Sequence, residues 1–421
     1  MKKFIALLLA VVMVLSMSAM FTGCNEAGKD ETGSVYYLNF KPEFNDALQE
    51  LAAKYKEKTG IEVKVVTAAS GDYSNTLTAN IEDVTIFNIG NAAGLADWDS
   101  YALDLTDSDI AKELTTNDFN LYNEKGELKA IGNCYESFGI IVNTKLLEQA
   151  GYTLADITNF ETLKTVADDI HARAAELGFD AFTTSGLCDS SSWRFSGHLA
   201  TLPLHYEGVK SSVATITGDK LDLYKNVWDL YINNAAADPA TLSNESDAAA
   251  EFKAGKAVFY QNGTWEYAGL KEAGMTDDQL AMIPIYCGAE GEQNAALCSG
   301  TENCWAINSK ASKADQKASI DFLVWLVSDK EASAVYVEQL GAVPFKNCPA
   351  STNKFVADGN AMLAAGKTSI SWAFNYTPNV DSWRATVVTA LKAYSAGTAE
   401  WSEVENAFVE GWEIEYKAVN G

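Results

Sequence analysis

Three short segments each place a tryptophan among hydrogen-bonding side chains. They are residues 190–194 (Ser-Ser-Ser-Trp-Arg), 261–266 (Gln-Asn-Gly-Thr-Trp-Glu) and 371–376 (Ser-Trp-Ala-Phe-Asn-Tyr). A pyranose ring has apolar C–H faces and a rim of hydroxyls, so it binds where a flat aromatic face adjoins donors and acceptors. We therefore expect these segments to bind a sugar, although a packing role stays open for each single tryptophan.

Motifs for covalent, phosphate or metal chemistry are missing from the sequence. It has no GxSxG, HExxH or GxGxxG, and its three histidines are scattered. Gly366-Lys367-Thr368 resembles the end of a phosphate-binding loop, but Ala361 stands where that loop needs its first glycine. We expect no catalytic residue, no metal and no cofactor. A glycoside hydrolase stays open, because the acidic residues are too many to single out one carboxylate pair.

The charge balance narrows the choice of partner. The 421 residues carry 31 basic and 57 acidic side chains, which gives a net charge of −26. Nucleic-acid affinity depends on clustered lysine and arginine, and anionic lipid head groups repel an acidic surface. We therefore expect no nucleic-acid partner and membrane contact through a lipid anchor alone. The same acidity keeps open a receptor for a non-sugar, cationic solute such as a polyamine.

Residues 1–23 have the pattern of a bacterial lipoprotein signal peptide. Two lysines precede an unbroken apolar run over residues 4–15, and Gly23-Cys24 resembles the end of a lipobox. We expect lipidation of Cys24 as the first mature residue and a flexible tether over residues 24–34. The protein would then lie at the extracellular face of the bacterial cell membrane. A plain secretory signal with a different cleavage site is the alternative.

The six cysteines after Cys24 contain no CxxC pair, and their spacings match no zinc site. Cys298 and Cys304 are the nearest pair in the sequence. Export permits a disulfide between them. We expect buried free thiols, and the disulfide is the alternative.

The elements that must position the tryptophan segments begin as alternating strands and helices. Residues 35–39, 61–66 and 83–89 have β-prone patterns, with a helical pattern between the first two. This alternation predicts a mostly parallel, layered α/β sheet. The later chain is more helical, and Thr158 and Glu161 form a predicted capping box. Further helices are predicted at 221–234, 245–254, 314–328, 380–395 and 401–416.

No internal repeat, proline-rich linker or charge block marks a single boundary between two sequential domains. This absence fits two lobes that the chain crosses more than once. Ligand sites are common in the cleft between such lobes.

The chain resembles the extracellular solute-binding proteins of family 1, the carbohydrate-binding lipoproteins of ABC importers. The resemblance rests on residues 36–40 (Tyr-Tyr-Leu-Asn-Phe), on 139–147 and above all on 252–265, where a strand leads to Gly263-Thr264-Trp265. Thr264 stands where the family usually has serine. In the family's Pro-Asp-Val strand, Glu82 replaces the proline and Asp83 is kept.

This resemblance implies an α/β, two-lobed periplasmic-binding-protein-like fold (type II) with the ligand cleft between the lobes. Its N-terminal lobe would comprise residues 35–143 plus 287–345, and its C-terminal lobe residues 144–286 plus 346–421. Hinge closure around the ligand would create the form that the membrane permease recognises.

The function implied is that of a lipid-anchored receptor, not an enzyme, that binds an oligosaccharide and delivers it to ABC transporter permease subunits. We expect it to act as a monomer. A surface-anchored glycoside hydrolase and a polyamine receptor remain the alternatives. The residues expected to bind the ligand are Trp265, Trp193, Trp372, Asn262, Arg194, Glu43, Asn88, Glu302 and Glu136.

Overall fold

The computed structural model describes residues 32–68, 72–189 and 191–421. The expected signal peptide, Cys24 and most of the 24–34 tether lie outside the described residues, as do Ser190 and the side chain of Glu43. Within the described ranges, no helix is both long enough and apolar enough to cross a membrane.

The first sheet joins strands from the N-terminal third of the chain with one strand from much later. Its spatial order is β2 (Val63–Thr67), β1 (Val35–Asn39), β3 (Ile86–Ile89), β11 (Cys304–Ile307), β5 (Leu128–Gly132) and β4 (Leu121–Tyr122). β1 runs parallel to β2 and β3, whereas β11 returns antiparallel between β3 and β5. Every residue of β3 and β11 is buried, because apolar clusters cover both faces of the sheet.

The second sheet is centred on the long strand β6. Its spatial order is β12 (Thr368–Ser371), β10 (Ala295–Gly300), β6 (Glu136–Asn143), β8 (Ala257–Gly263) and β7 (Asp180–Phe182), and β9 (Leu280–Ile283) also pairs with β6. β6 is antiparallel to β8, β9 and β10. All seven residues of β8 are buried, so its end is held firmly where the chain emerges toward Trp265.

Helices cover both sheets and agree closely with the predicted segments in the later chain. Their bounds are α1 (Asn45–Thr59), α2 (Tyr73–Asn80), α3 (Ala92–Trp98), α4 (Thr144–Gln149), α5 (Phe160–Ala172), α6 (Ala174–Leu177), α7 (Thr201–Glu207), α8 (Leu221–Asn233), α9 (Ala248–Lys253), α10 (Glu266–Glu272), α11 (Lys313–Ser328), α12 (Lys330–Leu340), α13 (Lys354–Ala364), α14 (Val380–Ser395) and α15 (Trp401–Asn420). A π-helical turn spans Arg194–Leu199.

The N-cap of α5 is Asn159 rather than the expected Thr158, because the Asn159 side chain accepts the Thr162 N–H at 2.9 Å.

The chain crosses between the two sheets at residues 133–135, at residues 301–303 and between α12 and α13. These crossings lie side by side. The Asn133 N–H donates to the Asn303 carbonyl at 3.1 Å, and the Tyr135 N–H donates to the Ala342 carbonyl at 2.9 Å. Two lobes joined by adjacent narrow segments have the geometry of a hinge.

The lobe bounds expected from the sequence differ from the sheet membership. The expected N-terminal lobe includes β6 and β10, whereas both strands pair within the second sheet. By sheet membership the crossings lie near residues 134 and 302 instead of 143 and 287. The apolar pattern of β6 indicates a strand but not its partners, which are distant in sequence.

Cys298 and Cys304 lie on β10 and β11, in different sheets, and within the described chain they do not form a disulfide with each other. Both thiols are buried. Burial raises the pKa of each thiol, which keeps it protonated.

Candidate functional site

A cavity of about 690 Å³ lies between the two sheets, next to the crossing segments. Both lobes contribute to it, as expected for a cleft that binds a small solute. Its lining residues are Phe40, Lys41, Glu136, Asp189, Trp193, Gly197, His198, Trp265, Glu302, Trp372, Phe374, Asp381 and Arg384.

The second lobe supplies an aromatic wall. The His198 ring stacks on Phe138 with centroids 3.9 Å apart, and Trp372 lies 5.3 Å from Phe138. Trp265 lies 5.5 Å from His198 and 6.1 Å from Trp193. The rings therefore support one another and form a continuous apolar surface.

His198 is the titratable member of this wall. It is buried, and burial lowers its pKa well below the usual value, with the charges of Arg384 and Arg194 acting in the same direction. The imidazole is therefore neutral at pH 7. It extends the aromatic surface rather than adding a charge.

Trp265 stands where β8 turns into α10. A Cβ at Gly263 would lie 2.2 Å from the Trp265 ring, so only glycine lets the indole fold over the strand end. The Thr264 N–H donates to the Ser137 carbonyl at 2.8 Å and fixes the turn. The indole is half-buried: it packs on the core of the second lobe and also lines the cavity.

Trp193 and Arg194 lie at the start of the π-helical turn but have different environments. Trp193 is half-buried and lines the cavity. Arg194 is 2% exposed, and its guanidinium donates to the carbonyls of Gln261 at 2.8 Å and Thr184 at 3.3 Å. Arg194 therefore braces the turn that presents Trp193 and does not line this cavity.

Trp372 is only 5% exposed. Its Nε1–H donates to the Cys298 carbonyl at 3.0 Å, and its ring packs so closely on Gly300 that a Cβ there would lie 2.6 Å away. Trp372 contributes an edge to the cavity, while most of its surface is packed in the core.

A buried ion pair connects the lobes across the cleft. Lys41, just after β1, donates from Nζ to Glu136 Oε2 at 2.6 Å, and Glu136 begins β6 of the second sheet. The two side chains are 11% and 9% exposed. Their contact joins the two lobes in the relative position seen here.

Glu302, in a crossing segment, points a carboxylate at the same space. Within the described ranges it has no hydrogen bond or ion pair, although it lines the cavity. Burial raises its pKa, opposed by the charges of Arg384 and Lys41. Arg384 in turn lies 3.5 Å from Asp381 on α14. Glu302 is therefore an acceptor available to hydroxyl or amine donors.

The cleft continues into a smaller cavity of about 240 Å³ on the side of the first lobe. Phe40, Glu302, Asp381 and Arg384 line both spaces. Asn88 lines the smaller one, and its amide donates to Asn303 Oδ1 in a crossing segment. The first lobe therefore meets the cleft with both polar and aromatic groups, since Phe40, Tyr73 and Trp98 line the smaller cavity beside Asn88.

The structure brings together five of the expected residues, places one next to them, and sets others apart. Trp193, Trp265, Trp372, Glu136 and Glu302 line the main cavity, and Asn88 lines the adjoining one. Asn262 and Arg194 line a separate cavity described below. Nothing is described for the Glu43 side chain.

Sequence reasoning missed Phe40, Lys41, His198, Asp381 and Arg384. The one available signal was the position of Phe40 and Lys41 directly after β1, because strand ends face the cleft in α/β lobes. His198 gave no signal of its own. No group of three or more His, Cys, Asp or Glu side chains in the described part of the chain is arranged to hold a metal ion.

A model of the family described as bacterial extracellular solute-binding protein matches residues 50–365. A search of curated protein sequences gave no match. Among solved structures, the fold is similar to the binding protein RafE in complex with raffinose, with 16% identity, a TM-score of 0.69, and coverage of 91% of this chain and 100% of that one.

Two further structures have the same overall fold. The GacH receptor of Streptomyces glaucescens, solved unliganded and with acarbose, has 19% identity and a TM-score of 0.66 over 92% of this chain and 99% of that one. A putative MsmE binding protein from Bacillus subtilis in an open conformation has 15% identity and a TM-score of 0.71, with coverage of 93% and 98%. These similarities confirm the expected two-lobed α/β fold.

Proposed function

The chain belongs to the bacterial extracellular solute-binding proteins, and we propose that it is the lipid-anchored receptor of an ABC importer for an oligosaccharide. It holds the sugar between its lobes and delivers it to the permease subunits. The observation that carries this proposal is the pairing of a neutral aromatic wall with polar groups in one cavity between the lobes. Stacking rings suit C–H faces, and Glu302 suits hydroxyl donors.

Hinge closure is the proposed transport step. A sugar that contacts Trp265 on one lobe and Lys41 on the other stabilises the closed form, because it binds that form more tightly than the open one. Saturating sugar should reduce the radius of gyration in solution scattering. Unchanged dimensions at demonstrated saturation would count against closure.

A polyamine receptor is the second candidate, because carboxylates outnumber cations in the cavity. Glu136, Asp189, Glu302 and Asp381 line it together with Lys41 and Arg384. The two cations have carboxylate partners, at 2.6 Å for Lys41 and 3.5 Å for Arg384. Indole faces suit the C–H faces of a sugar and also attract ammonium groups, so the aromatic wall is compatible with both candidates.

A thermal-shift panel separates these candidates. It should contain mono- to tetrasaccharides of the malto, raffinose–stachyose and chito series, together with putrescine and spermidine. A ligand at 100 times its Kd stabilises the fold by about 2.7 kcal/mol, which is a clear shift. Stabilisation by polyamines alone would overturn the sugar proposal. An assay for new reducing ends on the same mixtures tests the proposal that the protein is not an enzyme.

The lipid anchor is proposed from the sequence, with Cys24 as the attachment site. A single acyl chain binds a membrane only weakly, whereas the several acyl chains of a bacterial lipoprotein anchor retain the protein there. The change Cys24→Ala should release the protein from the membrane fraction, and sedimentation of the variant with membranes would contradict this. We also propose that the released protein is a monomer, which its sedimentation coefficient tests.

A further inference from the structure

A second cavity, of about 550 Å³, lies entirely within the second lobe. It is bounded by residues 191–194, by 245–249 at the start of α9, and by residues between 260 and 266. Trp193 lines both this cavity and the cleft between the lobes. Trp193 is therefore the side chain at which the two cavities adjoin.

We propose that this second cavity is a distal subsite, which takes further neutral sugar units of an oligosaccharide whose first units lie in the cleft. The inference rests on the proposed function and extends it to the length and charge of the ligand.

The floor of the subsite is built from buried polar groups. Asn262 is 2% exposed, and its amide donates to the Tyr260 hydroxyl and to Glu266 Oε1, the latter at 3.1 Å. The Arg194 guanidinium lies 5.3 Å from the centre of the Tyr260 ring. Within the described chain, Ser246 Oγ is shielded from solvent and has no hydrogen-bond partner. Both amide hydrogens of Asn262 are engaged inside the floor, which makes it a rigid polar surface that includes an aromatic ring. Ser246 Oγ is the unpartnered hydroxyl among its lining residues in the described chain.

The charges of the subsite select against acidic sugars. Glu245, Asp247 and Glu266 line it, and the guanidinium of Arg194 is already engaged by two backbone carbonyls. A uronic acid unit would bring a carboxylate toward these three carboxylates, which outnumber the single cation among the lining residues of the described chain, Arg194. Neutral units avoid that repulsion.

Filling the subsite tests the inference. Ala249 on α9 is half-buried and lines the subsite, whereas the next residue, Ala250, is exposed and does not. Ala249→Trp should lower the affinity for tri- and tetrasaccharides at least tenfold and leave monosaccharide affinity within twofold of the wild type. Ala250→Trp is the matched control and should bind all lengths as the wild type does.

Calorimetric titration with the malto, raffinose–stachyose and chito series measures these affinities, and thermal melting verifies the folding of both variants. If Ala249→Trp melts early, Ala249→Leu provides a smaller obstruction at the same position. A wild-type affinity that does not rise with chain length overturns the subsite, as does equal loss for short and long sugars.

Two other results have distinct meanings. If no sugar in the three series binds the wild type, the proposed function fails, and the subsite fails with it. If sugars bind in the cleft but tri-galacturonate binds as tightly as the neutral trisaccharide, the proposed function stands and the selection against acidic units is wrong.

Discussion

The second lobe faces the cleft with Trp193, Trp265 and Trp372, whereas the first lobe faces it with Phe40 and Lys41. The aromatic wall is fixed before any ligand arrives, because its rings pack on one another and on the lobe core. The first-lobe wall depends on the hinge, since Lys41 meets the second sheet through its ion pair with Glu136.

This difference gives the second lobe all the indole rings of the main cavity and makes the first-lobe contacts depend on closure. A ligand can stack on the second-lobe wall before closure, and it gains contacts with Phe40 and Lys41 of the first lobe when the lobes close. Changes in the aromatic wall should therefore act on the affinity of every conformation. Changes in the first-lobe wall should act on closure.

The largest effect on binding is expected from Trp265→Ala. Loss of stacking on this half-buried indole should cost about 1–3 kcal/mol of binding free energy. That corresponds to a roughly 5- to 150-fold weaker affinity by calorimetry. Trp325→Ala is the control, because Trp325 is also half-buried but packs on Tyr55 in the first lobe. A Trp265→Ala variant that melts early yet binds sugar normally would assign this indole to the core.

The second prediction concerns the ion pair between the lobes and the free energy of unfolding. A double substitution separates the loss of the pair from the cost of an unpaired buried charge. Lys41→Met leaves the buried Glu136 carboxylate without this partner, which should cost about 1–3 kcal/mol in the free energy of unfolding. Adding Glu136→Gln should recover most of that loss, because the unpaired charge is then removed. Urea titration measures both values. Equal stability of the single and double variants would contradict the cost assigned to the unpaired carboxylate.

Glu302→Gln should separate charge from hydrogen bonding in the cleft. Burial raises the pKa of Glu302 above its ordinary value of 4.5. The positive charges of Arg384 and Lys41 oppose this shift, and the negative charges of Glu136 and Asp381 add to it. Folding therefore disfavours the charged form. Wild-type stability should rise as the pH falls through the raised pKa, and the glutamine variant should be the more stable protein above that pKa, including at pH 7.

The same substitution has an opposite effect on binding. A charged carboxylate accepts hydroxyl hydrogen bonds more strongly than an amide oxygen does, by about 1 kcal/mol, so neutral-sugar affinity at pH 7 should fall about fivefold in Glu302→Gln. Wild-type affinity should decrease toward acid pH as Glu302 protonates, and the variant should lack this dependence. Identical pH profiles for the two proteins would show that the ligand does not contact Glu302.

The smallest effect on binding is expected from Trp372→Phe. Trp372 is 5% exposed and donates to the Cys298 carbonyl, so the change should lower stability by about 1 kcal/mol through the lost hydrogen bond. Sugar affinity should stay within twofold, because the aromatic edge in the cleft is kept. A larger loss of affinity without a loss of stability would show that Trp372 contacts the ligand instead of serving only to pack the core.

Much of the local structure could be predicted from the sequence. The predicted helices at 314–328 and 380–395 agree with α11 and α14 within one residue, because their apolar spacing and their ends are local signals. The strand before Trp265 and the glycine at Gly263 were also visible in the sequence. The family, the two-lobed fold and a tryptophan at a strand end therefore followed from local pattern and resemblance.

Only the tertiary structure decided which of these residues share a cavity. β6 and β10 belong to the second sheet. The sequence did not indicate this, because their pairing partners, among them β8, are far away in the sequence. The same is true of the site: Lys41 meets Glu136 from 95 positions away. The sequence determined which side chains could stack on or bond to a sugar, because those properties belong to single residues. Their arrangement in one cleft, and the assignment of Asn262 and Arg194 to another cavity, depended on long-range packing that no local spacing encodes.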